Sequence, residues 1–283
     1  MSLLQQINTL AQHALPGHLL SRATGALATC EIPAVKNALI RAFIKQFEIN
    51  MDEVADPDLD NYPHFNAFFT RALKPGIRPM PGEGQIACPA DGAVFGFGTI
   101  DAETRLNAKG HAFRLDELFG SDEYNQTYEG GQFVTVYLSP SDYHRVHCPM
   151  AGEFKQMTYV PGRLFSVNRE TTTRIPAVFA RNERVILHFK GEHGPFALVL
   201  VGAMLVASIE TPFAGVITPP GRDVQHWHYH KGGHLKFRQG DEIGRFQYGS
   251  TVILVTPKSS YQLSDDWSAD QPVKLGEVLG SQT

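Results

Sequence analysis

"GDEIGRFQYGSTVILVTP", residues 240–257, contains two textures that meet at one serine. The second half, STVILVTP, is a short apolar run rich in β-branched residues and reads as a buried strand. The first half is charged and glycine-rich and reads as a loop. Gly249-Ser250-Thr251 therefore stands at the mouth of a strand. By spacing alone the triplet is a turn. A second reading is chemical, because glycine tolerates backbone angles that press its carbonyl onto a neighbouring hydroxyl. Ser250 is a nucleophile only if a base takes its proton.

Similar runs occur on either side: "GAVFGFGTI" (92–100), "QFVTVYLSP" (132–140), "ERVILHFK" (183–190) and "FALVLVGAMLVASIE" (196–210). Gly, Pro and Asp separate them, which predicts an antiparallel or mixed β core, barrel-like or sandwich-like. No fixed-period repeat stands out. Residues 1–50 have helical spacing instead, in "LLQQINTLAQHAL", "HLLSRATGALA" and "PAVKNALIRAFIKQF". In the third segment Val35, Leu39, Ile40, Phe43, Ile44 and Phe47 form the apolar stripe, with Lys36, Arg41 and Lys45 elsewhere on the wheel. Such a mildly basic helical lead-in either lies in a membrane interface or caps the main domain, and pattern alone favours the cap. The expected division is 1–60 helical and 61–283 β-rich, an α+β chain.

The 283 residues are 42% hydrophobic and 19% charged with a net charge of −4, so nothing electrostatic favours nucleic acid. Cys30, Cys88 and Cys148 are far apart with no CxxC, which argues against a disulfide framework or structural zinc and fits a reducing, cytosolic setting. There is no cleavable leader pattern, and no apolar run reaches the roughly 18 residues that span a bilayer.

Three stretches carry polar groups suited to chemistry. "YLSPSDYHRVHCP" (137–149) sets His144 and His147 just past a strand end. Their HxxH spacing before Cys148 fits metal ligands weakly, proton-transferring imidazoles better, and structural histidines as well. "CPADGAV" (88–94) offers Asp91 in an Asp-Gly turn, which alone is structural. "HWHYHKGGH" (226–234) alternates histidines but lies between loop-like flanks, so a polar excursion is expected, with metal the lesser reading.

Taken together, "FNAFFTRALKPGIRP" (65–79), "PADGAV" (89–94), "YLSPSDYHRVHCP", "PGRLFSVN" (161–168), "FARNERV" (179–185), "VGAMLVASI" (201–209) and "GDEIGRFQYGSTVI" (240–253) resemble, in this order, the signature blocks of the pyruvoyl-dependent phosphatidylserine decarboxylases of the bacterial membrane-associated type. Two departures are visible: Tyr248 before the triplet, and Ala207 where Gly is common. The resemblance implies self-cleavage between Gly249 and Ser250, giving a β chain of 1–249 and an α chain of 250–283. It implies a self-cleavage triad of Asp91, His147 and Ser250, with His147 taking the hydroxyl proton. It also implies a pyruvoyl group made from Ser250, which forms a Schiff base with phosphatidylserine, releases CO₂ and leaves phosphatidylethanolamine. His144 is then the residue for carboxylate handling and reprotonation, and no metal is needed. Further implications are a barrel-sandwich-hybrid-like core, a homodimer, and peripheral attachment of residues 1–50 to the cytoplasmic face of the bacterial inner membrane. Three other readings compete: a serine hydrolase using the same three residues on an external ester, a relative acting on another amino-acid head group or on a soluble amino acid, and a lipid-binding β module without activity.

Overall fold

The computed structural model describes residue 25 and residues 27–103, 105–108, 111–203, 208–217, 222–229, 235–247 and 250–283. The first expected helical segment and most of the second, together with Ala207, His230, His234, Tyr248 and Gly249, lie outside the described residues.

Strand Ser250–Thr256 is buried at all seven positions. It pairs antiparallel with Gln132–Leu138 on one side and Pro195–Val201 on the other. Val252 and Leu254 pack against Val134, Val136, Leu198 and Leu200 on one face. Ile253 and Val255 pack against Val199, Phe119 and Phe179 on the other. Because both faces are covered, the strand has no polar side, which is why the sequence shows an unbroken apolar run rather than alternation.

This strand is central in a nine-stranded antiparallel sheet ordered Gln225–His228, Gly152–Val160, Arg184–Gly191, Pro195–Val201, Ser250–Thr256, Gln132–Leu138, Gly92–Thr99, Pro272–Val273, with Lys236–Phe237 also paired to Gly152–Val160. On one face a three-stranded sheet (Gln85–Ala87, Val278–Gln282, Tyr261–Leu263) and a four-stranded sheet (Gly215–Val216, Ile209–Thr211, Glu242–Phe246, Arg145–His147) share its core through Ile86, Leu279, Leu263, Val146, Ile209, Ile243 and Phe246. Short helices Leu115–Phe119, Asn125–Tyr128 and Val178–Arg181 cover the other face. The protein is α+β and mostly strand, and no barrel closes among the described residues.

The connections hide a duplication. Residues 88–92 (CPADG) and 148–152 (CPMAG) share Cys-Pro-x-x-Gly and occupy matching places. Ala87 N donates to Pro149 O at 2.9 Å, and His147 N donates to Pro89 O at 2.8 Å. Each cysteine Sγ donates to the carbonyl two residues on, Cys88 to Ala90 and Cys148 to Met150, both at 3.1 Å. Gly276 N donates to Cys88 O and Gly240 N to Cys148 O, and both glycines have φ +87°. The flanking registers agree as well: Val273 faces Gly92 and Phe237 faces Gly152, with a bulge after Val94 matched by one after Phe154. One arm is continuous, from Arg145 to Phe246. The other is split into Gln85–Leu138 and Ser250–Gln282 and holds the first arm as an insertion. A pseudo-two-fold axis runs between the central strands Ser250–Thr256 and Pro195–Val201.

Helix Pro33–Phe47 starts with Pro at its first turn and ends at Glu48 in the left-handed region. Ile40 and Phe43 pack with Ile49, Tyr62, Phe65, Phe68 and Phe69, so the cluster takes residues from both sides of residue 60. The Phe43 ring meets Phe65 and Phe69 edge-on at 5.2 and 5.6 Å. Lys36, expected on the polar side, is buried: its Nζ donates to Leu59 O and Asn37 Oδ1, both at 2.8 Å, which satisfies the ammonium inside. The "HWHYH" expectation changes in part. Gln225–His228 is an edge strand rather than a loop, because Trp227 packs on the core while His226 and His228 face outward. Among the described residues no helix is long and apolar enough to cross a membrane.

Candidate active site

Asp91 ends the first Cys-Pro-x-x-Gly turn with only 2% exposure. Arg78 grips it with two prongs, Nε to Oδ1 at 2.9 Å and Nη2 to Oδ2 at 2.6 Å. The Leu275 amide donates to Oδ1 at 2.8 Å, and Lys274 Nζ stands 3.5 Å from Oδ2. Burial alone would raise this carboxyl; the Arg78, Leu275 and Lys274 partners outweigh it and hold the pKa below the usual carboxylate range. Arg78 also donates to Glu53 at 2.5 Å.

His147 comes from the second arm, next to Pro89 through its backbone bond. Its Nδ1 meets the Gly240 carbonyl at 2.8 Å and its Nε2 the Tyr143 hydroxyl at 3.0 Å. A carbonyl can only accept, so Nδ1 carries the proton and Nε2 is the basic lone pair. Burial pushes the imidazole below its ordinary value, opposed by the Gly240 carbonyl, and the ring is neutral at pH 7. The structure departs from a hydrogen-bonded triad here. Asp91 is engaged by Arg78 and Leu275, and the Gly240 carbonyl orients His147 in its place; Asp91 acts on His147 through its field.

His144 is fully buried, with Nδ1 on Asp142 O at 2.9 Å and its ring 4.1 Å from that of Phe69. Burial drives its pKa down to about 3. Among the described residues its Nε2 has no hydrogen-bond partner, and neither does the Oγ of Ser250, which is also fully buried. Unpaired buried polar atoms are expensive and cluster where chemistry needs them. Two ties bring their segments together: Leu138 is paired to Ser250, and Phe246 N donates to His144 O at 3.0 Å. The stretch 139–143 runs between these two ties.

Three partners had no assigned role at the sequence level. Arg78 lies inside the block "FNAFFTRALKPGIRP", Tyr143 inside "YLSPSDYHRVHCP", and Gly240 opens the quoted 240–257 stretch. The repeated Cys-Pro-x-x-Gly was the available signal for the arm-to-arm contact that gathers them. Among the described residues no group of three or more His, Cys, Asp or Glu is placed to hold a metal ion.

The family model described as phosphatidylserine decarboxylase matches residues 65–281, and a second, described as PSD, matches residues 7–48. A phosphatidylserine decarboxylase proenzyme of Ectopseudomonas mendocina is 50% identical over 281 residues, covering 98% of both chains. Proenzymes of the same name from Azotobacter vinelandii and Pseudomonas aeruginosa are 49% and 47% identical, covering 96% and 99% of this chain and 96% and 98% of theirs. With a family model matched over residues 65–281 and relatives matched over nearly the full length, the chain belongs to the phosphatidylserine decarboxylase family.

Proposed function

We propose that this protein is a self-cleaving proenzyme that matures into a phosphatidylserine decarboxylase and makes phosphatidylethanolamine. The observation that carries the reading is the fully buried Ser250 hydroxyl with no hydrogen-bond partner among the described residues, in the first position of a strand held on both edges. Ser250 Oγ attacks the Gly249 carbonyl carbon: the Oγ–C bond forms, the C–N bond breaks, and the amine is freed as an ester replaces the amide. His147 Nε2 takes the hydroxyl proton, and the Asp91 carboxylate favours the resulting imidazolium from a distance. The attack is intramolecular, and well-oriented cases reach effective molarities of about 10⁵ M or more. Elimination of the ester then separates 1–249 from 250–283 and leaves residue 250 as a pyruvoyl group after hydrolysis.

The surroundings fit that group. Position 250 is fully buried, and His144, on the segment tied to it through Leu138 and Phe246, has an Nε2 without a hydrogen-bond partner among the described residues. The pyruvoyl carbonyl supplies an electrophile for an amine and an electron sink for the bond that carries CO₂. His144 handles the carboxylate, takes up one proton from solvent and delivers it to the carbon that has lost CO₂. An apolar site favours loss of CO₂, because charge disperses as the bond breaks.

The core is read as barrel-sandwich-hybrid-like, a reading supported by two arms crossing at a pseudo-two-fold axis. The same proposal places a homodimer at the cytoplasmic face of the cell membrane, attached through its N-terminal region. Because Pro33–Phe47 packs its apolar face within the protein, the truncation that tests attachment ends before Pro33; removal of residues 1–30 moves the protein from vesicle pellet to supernatant, and continued pelleting overturns the anchor. For the activity, Ser250→Ala abolishes both the 34-residue fragment on a denaturing gel and CO₂ release from carboxyl-labelled phosphatidylserine. A single uncleaved chain in an active wild-type preparation rules the reading out and leaves the hydrolase.

A further inference from the structure

A cavity of about 240 Å³ lies beside Asp91, lined also by Arg71, Ser141, Tyr143 and Lys274. Arg71 is only 4% exposed. Its guanidinium donates to two backbone carbonyls, Ser141 O at 3.2 Å and Phe69 O at 3.5 Å, and its Nε has no partner among the described residues. Among the described residues no carboxylate lies within ion-pair distance of it. The acids on the cavity wall are otherwise engaged or exposed: Glu53 and Asp91 are held by Arg78, Asp142 accepts from Ser139 N and Oγ, and Glu48 points to solvent. Lys274 adds a second cation, half exposed and only 3.5 Å from Asp91.

The guanidinium, 5.4 Å from the centroid of the Phe68 ring and bonded to two carbonyls, has no direct carboxylate partner among the described residues, and an anion entering the cavity takes that place. The guanidinium fork matches the oxygens of a phosphate. The position is also tied to the reacting residues. Phe69, two residues earlier, lies against the His144 ring, Ser141 lies three residues before His144, and the Arg71 charge is felt at that imidazole.

We propose that Arg71, with Lys274 beside it, binds the phosphodiester of the phospholipid head group and so sets how the serine moiety faces His144 and residue 250. This rests on the decarboxylase reading. The test measures CO₂ release from dispersed short-chain phosphatidylserine by the matured wild type, Arg71→Lys and Arg71→Met. It also measures inhibition by glycerophosphoethanolamine, a phosphodiester without acyl chains or carboxylate. The expected result is a KM raised tenfold or more in Arg71→Met with kcat within about threefold, a smaller rise in Arg71→Lys, and inhibition lost in Arg71→Met. If Arg71→Met does not mature, the KM and inhibition of Arg71→Lys decide alone. A fall in kcat with unchanged KM and unchanged inhibition overturns the proposal and makes Arg71 a brace for the Ser141 loop. A wild type that releases no CO₂ from phosphatidylserine fails the decarboxylase reading instead.

Discussion

The two arms of the large sheet share registers, bulges and turn bonds, yet differ at every position assigned a chemical role. By register, Ala151 stands where the split arm has Asp91, and Gly194 where it has Ser250. Conversely, Ala87 and Gly84 stand where the continuous arm has His147 and His144. Each arm thus supplies half of the proposed site, and the reciprocal bonds Ala87 N to Pro149 O and His147 N to Pro89 O join the two arms. The contrast is sharpest at the hairpin. In the continuous arm Gly191 N donates to Gly194 O at 2.9 Å and closes a tight turn. In the split arm the same place, between Leu138 and Ser250, holds the entire other arm. The Gly249–Ser250 bond therefore stands at the return from an insertion. Cutting it frees no strand, because Ser250–Thr256 stays laddered on both edges and Tyr261–Leu263, Pro272–Val273 and Val278–Gln282 each stay paired.

Giving the split arm its counterpart's residue is the hardest test of this division. Asp91→Ala copies Ala151 but leaves Arg78, with an 11% exposed side chain, facing only Glu53. Removing one partner of a buried pair costs about 3–5 kcal/mol. Denaturant unfolding of Asp91→Ala in a Ser250→Ala background, where cleavage cannot confuse the result, should show that loss. The same substitution in the Ser250 protein should slow appearance of the fragment. A loss under about 1 kcal/mol would mean that Asp91 is as dispensable as Ala151 and that the arms differ less than their residues do.

Some of this was legible in the sequence, for identifiable physical reasons. STVILVTP declared a buried strand because both its faces are covered, and "PAVKNALIRAFIKQF" declared a helix because one face is. Lys36 misled, since its long stem lets the ammonium find a carbonyl from an interior position. The duplication escaped notice because sheet faces ask only for apolar residues; only Cys-Pro-x-x-Gly and the later glycines need a particular residue. Asp91's true partner was hidden for a similar reason. Arg78 reaches it across a loop, and no spacing rule connects the two.

Those glycines allow a finer comparison. Gly240 and Gly276 share φ +87°, a region that costs an L-residue about 1–2 kcal/mol. Their surroundings differ: a Cβ on Gly240 would meet the Met80 side chain at 2.8 Å, whereas one on Gly276 would meet the Pro79 carbonyl at 2.2 Å. A flexible thioether yields and a backbone carbonyl does not. Gly240→Ala is expected to lose about 1–2 kcal/mol and Gly276→Ala roughly 3 kcal/mol or more, read from paired urea melts. Equal losses would show that strain alone governs both sites.

A pH-dependent difference is expected between Thr135 and His188, which hold matching positions opposite the bulges. Both are buried, and their polar atoms have no hydrogen-bond partner among the described residues. Thr135 cannot titrate in the accessible range, whereas His188 can. Packed between Tyr124 and Phe119, with His226 and His228 nearby, it is driven by burial down to about 3. Its folded pKa lies below the unfolded value near 6.5. The neutral ring's contribution is therefore complete above pH 6.5 and is lost as pH falls toward 3, at about 1.4 kcal/mol per pH unit. His144 adds a second loss of the same sign. His188→Phe keeps the aromatic stack, forfeits no hydrogen bond, and should remove one of the two. Between pH 7 and 5 the variant should lose about 2 kcal/mol less than the parent protein, and identical acid slopes would show that His188 is not protonated only on unfolding.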